Sequence, residues 1–220
     1  MTPILTGLGL SAAAGLNAWV TLLLFNGLYL VLPQEFPGPT SAALSSHFAV
    51  TAALVLFLAE FVADKIPIVD HLWNLLQTVL RPVVGALLTL AAVPETSTSG
   101  RVGLALAGAA VTLGTHLVKS TTRLTSTAAT RGLAQFALSL AEDALALAIG
   151  ALVFFVPWFT AVLIGAMVVL LVVDRKRVLH GLAVLFFRLK HPRRLLRSSS
   201  LTIAPRGRGP PPRARRGRPG

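Results

Sequence analysis

Long apolar stretches alternate with short polar or breaker-rich segments along nearly the whole chain. A helix needs about 20 mainly apolar residues to cross the hydrocarbon of a bilayer. Six stretches come near that length: Ile4–Leu32, His47–Ala63, Leu72–Val93, Val102–Lys119, Leu138–Val156 and Trp158–Val173. The segments between them carry helix breakers, as in P-Q-E-F-P-G-P-T-S (33–41) and P-E-T-S-T-S-G (94–100), and Pro157 parts the last two. The third stretch is irregular. Arg81-Pro82 lies inside it, and Pro82 lacks a backbone donor, so the expectation is a kinked span, a re-entrant hairpin, or a surface helix over 72–80 followed by a short span.

The pattern predicts an all-α fold, a polytopic transmembrane helical bundle of about six spans with a basic, disordered C-terminal tail. Three parts are expected: a transmembrane domain over 1–174, a basic amphipathic juxtamembrane helix over 175–197, and an Arg/Pro/Gly-rich tail over 198–220. In 175–197, Val178, Leu182, Leu185, Phe186 and Leu189 share one helical face and bases occupy the other, which suits a helix lying on anionic lipid head groups.

Composition supports the bilayer. The chain is 54% hydrophobic and 13% charged, against about 25% charged residues in an average soluble domain. One soluble core of this size could not hide so much apolar surface. The net charge of +12 suggests nucleic acid until its distribution is read. Residues 174–220 hold 14 of the 20 Lys and Arg and one acid, whereas residues 1–173 hold six bases and seven acids. The basicity belongs to the tail, which makes nucleic acid an unfavoured partner and the bilayer the expected one. No Lys or Arg precedes Lys65, so S-A-A-A-G-L-N-A (11–18) is read as part of a retained span rather than a signal-peptide cleavage region.

With six spans, the segments 33–46, 94–101 and 157 share one side and hold one base, Arg101, against 19 on the other. The positive-inside rule then puts both termini in the cytoplasm of a plasma-membrane protein.

Charges in or beside a span are expensive and usually functional. They gather here as Glu60, Asp64, Lys65, Asp70, Arg81, Lys119, Arg123, Arg131, Glu142 and Asp143. Glu60 and Asp64 are four apart on one helix face. His116, Lys119 and Arg123 share another, and Asp70, Asn74, Gln77 and Arg81 form a third stripe. The candidate binding or ion-coupling set is Glu60, Asp64, Lys65, Asp70, Arg81, His116, Lys119, Arg123, Glu142 and Asp143. The plain alternative reads Lys65, Asp70, Arg123 and Arg131 as wet residues at span ends. Two hairpins, spans two with three and four with five, place acid and base in opposite order, Glu60 with Arg81 and Lys119 with Glu142, so the hairpins can pair acid to base. Near the N-terminus Gly7, Ser11 and Gly15 are four apart, which permits close helix packing. The other reading of that stretch is a broken helix lining a cavity with Asn17.

The chain has no cysteine, and its five His are dispersed, so neither a thiol site nor a metal-ligand pattern is expected. G-x-S-x-G, H-E-x-x-H and the P-loop are missing, which speaks against an enzyme and assigns no catalytic residue or cofactor.

G-L-S-A-A-A-G-L-N-A, then E-F-V-A-D-K-I-P-I-V-D-H-L-W-N-L-L-Q-T-V-L-R-P-V-V-G-A-L (60–87), H-L-V-K-S-T-T-R (116–123) and S-L-A-E-D-A-L-A (139–146) together resemble the bacterial membrane proteins of domain-of-unknown-function family 4126. The resemblance spans about residues 5–157 and implies a multi-spanning membrane protein without implying a reaction. Its polar positions fall on Glu60, Asp64, Lys65, Pro67, Asp70, Arg81, Pro82, His116, Lys119, Arg123, Glu142 and Asp143. The leading expectation is a small transporter or channel-like protein for an anionic solute or lipid head group. A non-catalytic scaffold that forms homo-oligomers or binds a partner is the alternative, and an intramembrane lipid-modifying enzyme ranks third.

Overall fold

The structure is a computed structural model that describes residues 2–63, 67–130, 135–173 and 175. Side chains at 67–72, 74, 75, 123–130, 135 and 136 are outside this description. So are the juxtamembrane segment beyond Arg175 and the tail, and with them the two expectations placed there. Every described residue belongs to one compact unit, Met1–Gly181.

The regular structure among the described residues is all helical, with no strand. The helices are α1 (Thr2–Leu16), α2 (Ala18–Val31), the short α3 (Ser41–Leu44), α4 (His47–Ala63), α5 (Pro67–Ala92), α6 (Thr98–Thr130), α7 (Gln135–Phe155) and α8 (Phe159–Val173). Two of them, over Thr98–Thr122 and Ala137–Phe155, are long and apolar enough to cross a membrane. Leu30, Phe48, Val55, Leu106, Phe155 and Val173 lie exposed on the outer surface. Both facts fit a membrane protein.

The stretch Ile4–Leu32 is not one straight span. Asn17 stands between α1 and α2 in an extended conformation, φ −145° and ψ 111°. Beyond it α2 doubles back along α1. A Cβ placed on Gly150 would lie 2.6 Å from Leu24, 3.8 Å from Ala13 and 3.9 Å from Leu10. In a continuous helix Leu10 and Leu24 would be about 21 Å apart. α1 and α2 are therefore a helical hairpin with Asn17 at its tip.

α1 is the centre of the bundle, packed by α5, α6, α7 and α8. Small residues allow it. Gly15 lies so close to α6 that a Cβ would come 2.7 Å from the Thr112 carbonyl, and one on Gly7 would come 3.0 Å from Thr89 Cα. Between them the Ser11 hydroxyl is 2.7 Å from both the Gly85 carbonyl and the Thr89 hydroxyl. Thr112 donates to the Ser11 carbonyl at 2.7 Å. The four-residue spacing in α1 is thus a packing seam, lined with hydroxyls that satisfy one another among apolar neighbours.

α5 is one helix that continues through Pro82 rather than a surface helix followed by a separate span. The breaker-rich segment after α2 is folded too. Phe36 is buried, edge-on to Phe25 at 4.9 Å and stacked on Phe154 at 5.5 Å. Gly38 donates its backbone N–H to the Ala91 carbonyl at 3.1 Å, where a side chain would strike the Leu90 and Ala91 carbonyls.

A candidate charged site at the hairpin tip

Asn17 rearranges the backbone at the tip. In an unbroken helix the N–H groups of Trp19 and Val20 would reach the carbonyls of Gly15 and Leu16. Here both donate instead to Asn17 Oδ1, at 3.0 and 3.1 Å, an N-cap for α2. Two carbonyls are left needing donors in a buried place, and such groups are almost always satisfied.

Arg81 and Lys119 satisfy them. Arg81 Nη1 donates to the Gly15 and Leu16 carbonyls, each at 2.7 Å. Lys119 Nζ also donates to the Leu16 carbonyl. The negative end of the α1 dipole thereby meets two cations.

Each cation brings its own anion. Arg81 Nη2 is 2.6 Å from Glu60 Oε1, with the two side chains 1% and 6% exposed. Gln77 locks that pair, accepting from Arg81 Nε at 3.1 Å and donating to Glu60 Oε2 at 3.2 Å. Lys119 Nζ is 3.0 Å from Glu142 Oε2. Asn17 Nδ2 donates to Asp143 Oδ1 at 2.7 Å, which ties the tip to α7. His116 completes the wall, its Nδ1 3.4 Å from Arg81 Nη1 and its Nε2 3.3 Å from the Thr78 hydroxyl. At this depth, desolvation makes an unpaired charge far costlier than a paired one.

Six of the ten candidates therefore meet: Glu60, Arg81, His116, Lys119, Glu142 and Asp143. Asp64 and Lys65 lie outside the described residues, as do the side chains of Asp70 and Arg123. The two ion pairs found among the described residues, Arg81 with Glu60 and Lys119 with Glu142, each close within one hairpin, α4 to α5 and α6 to α7. The candidate set missed Gln77, Thr78, Asn17 and the two main-chain carbonyls. The four-residue spacing from Gln77 through Arg81 and Gly85 to Thr89 was the signal for a polar stripe facing α1. Among the described residues no three His, Asp or Glu gather as a metal-ligand group.

A family model described as a domain of unknown function (DUF4126) matches residues 4–177. The chain belongs to this family. The match covers every residue of the charged site, from Asn17 to Asp143 in α7. No curated protein and no solved structure matches the chain.

Proposed function

We propose that this DUF4126 protein is an integral, multi-spanning membrane protein that binds and passes a small charged solute at the tip of the α1–α2 hairpin. One observation carries the reading: a helix interrupted inside an apolar bundle, its freed carbonyls held by buried charges. Interrupted helices with side-chain charges at the break are how many transporters build a substrate or ion site near mid-membrane.

The doubling back of α2 also revises the expected topology. α1 is 15 residues long, so its tip reaches about 22 Å into a hydrocarbon core of about 30 Å. A re-entrant α1–α2 followed by five crossing helices places the two ends of the bundle on opposite sides. Lys65, Arg123, Arg131 and the basic tail then face the cytoplasm and Arg101 faces away, which keeps the bases outside the bundle overwhelmingly on one side. The plasma membrane is the natural site for such a chain.

The test is flux through the full-length protein in liposomes under gradients of sodium, potassium, methylammonium, acetate and phosphate. Labelling of Thr78→Cys, beside His116, and of Ser139→Cys, buried on α7 three residues before Glu142, by a membrane-impermeant thiol reagent accompanies it, on a chain without native cysteine. Flux of one of these ions with labelling at either position supports transport. No flux, with both positions dark until denaturation, removes it and leaves a sealed packing network. That second reading, a scaffold whose ion pairs specify helix packing, is favoured by the mutual satisfaction of Glu60, Gln77 and Arg81.

A further inference from the structure

The two helix ends at the tip are not equivalent. The N-terminus of α2, where an anion would bind, is already closed, because Asn17 Oδ1 takes the N–H groups of Trp19 and Val20. The C-terminus of α1 is lined by oxygen: the Gly15 and Leu16 carbonyls, with the carboxylates of Glu60, Glu142 and Asp143 on the surrounding helices. This is a cation's environment, and the chain fills it with cations of its own.

Those cations differ in kind. The Arg81 guanidinium is a planar fork bound to four separate acceptors, on Gly15, Leu16, Gln77 and Glu60, and no spherical ion reproduces it. Lys119 presents a compact ammonium on a flexible stem, seated between a main-chain carbonyl at a helix C-terminus and the Glu142 carboxylate. Unwound carbonyls and half-helix C-termini supply the coordination of alkali ions in transporters with interrupted helices.

We propose that the Lys119 ammonium occupies a monovalent-cation site, and that a small cation, an alkali ion or a primary ammonium, competes with it for the Leu16 carbonyl and Glu142. The proposal rests on the transport reading for its purpose and replaces the expected anionic solute with a cationic one. Arg81 stays in place as the structural cation while Lys119 exchanges.

The experiment uses the full-length chain with Lys119→Met, which keeps the length of the stem and removes the charge. The protein is titrated in lipid nanodiscs with sodium, potassium and methylammonium chloride, with N-methylglucamine chloride holding ionic strength constant. Thermal unfolding is followed. Ligand that binds only the folded state raises the melting temperature saturably. The expected result is such a rise in Lys119→Met at lower cation concentration than in the native chain, where Lys119 must first be displaced, and no rise in Lys119→Met with Glu142→Gln. Sodium or potassium producing it assigns an alkali ion, and methylammonium alone assigns an amine. No cation-specific rise, or an equal rise in the double variant, overturns the proposal. If Lys119→Met does not fold, acetylation of Lys119 in the native protein is quantified by mass spectrometry. Acetylation that increases with cation concentration supports the site, and acetylation indifferent to it overturns it. Flux is scored separately. A rise without flux keeps the cation site and removes transport, and flux without the rise does the reverse.

Discussion

Arg81 donates to the Leu16 carbonyl at 2.7 Å across 65 residues of chain, so an α5 side chain completes the last turn of α1. The hydrogen bond exists because Asn17 has taken the backbone donor that would otherwise occupy that carbonyl. The shape of the hairpin and the placement of the charges are one arrangement.

The Asn17 cap is therefore testable apart from the charges. Asn17→Ala should lower stability by about 0.5–2 kcal/mol for the lost cap alone. Asn17→Ser should lose less. Asn17→Asp keeps a good capping oxygen but sets a carboxylate against Asp143, and should be worse than Asn17→Ser. Unfolding midpoints of the three variants in one detergent decide this. Equal midpoints for Asp and Ser would remove the Asp143 contact from the account.

Arg81→Met should be among the most damaging single changes in the chain, at about 3–5 kcal/mol, because it strands Glu60 and the Gly15 carbonyl, while Leu16 keeps Lys119. Arg81→Lys should not rescue it, since one ammonium cannot span the carbonyls and Glu60 together. A double-mutant cycle with Glu60→Gln should give a coupling of about 0.5–3 kcal/mol. Strict additivity in that cycle would contradict the pair.

Partner choice has a direct check in charge reversal. Lys119→Glu with Glu142→Lys should recover part of the folded yield lost in either single variant. Glu60→Lys with Lys119→Glu should not, because those residues are not partners. Folded yield by size-exclusion profile separates the two pairings.

How much of this was legible beforehand varies by element, for physical reasons. α4 lies where its apolar run places it, and α7 begins three residues earlier than expected. Six of the candidate charges converge, because helical spacing alone puts them on shared faces. A broken helix at Asn17 was one of the two readings of the first stretch, but the reversal of the chain there was not legible. Ile4–Leu32 has the length and hydropathy of a crossing, and only contacts such as Leu24 with Gly150 and Phe25 with Phe36 reveal the reversal. Its one local sign is Asn17, a good capping residue set among apolar ones. Pro82 misled in the other direction. A proline suggests a boundary, yet α5 runs through it, packed against both α1 and α6.

The α5–α6 seam gives a fourth expectation. A Cβ on Gly85 would overlap the Thr112 side chain and approach the Gly108 carbonyl to 3.0 Å. Gly85→Ala should cost about 1–3 kcal/mol by overpacking. Thr112→Ala should relieve part of that in the double variant, since the nearest obstacle is a side chain. Thermal melts of the two single variants and the double test it, and no relief would place the obstruction in the α6 backbone.

The central position of α1 has a consequence for how the chain is made. Every surface that α1 packs on in α5 to α8 is translated after it. The hairpin therefore leaves the ribosome before the surfaces it packs on exist. Domains earlier in a chain ordinarily fold first. Here the opening segment cannot complete its contacts until later helices have been made, and the carbonyls at its tip gain their cationic partners only when Arg81 and then Lys119 have been synthesised.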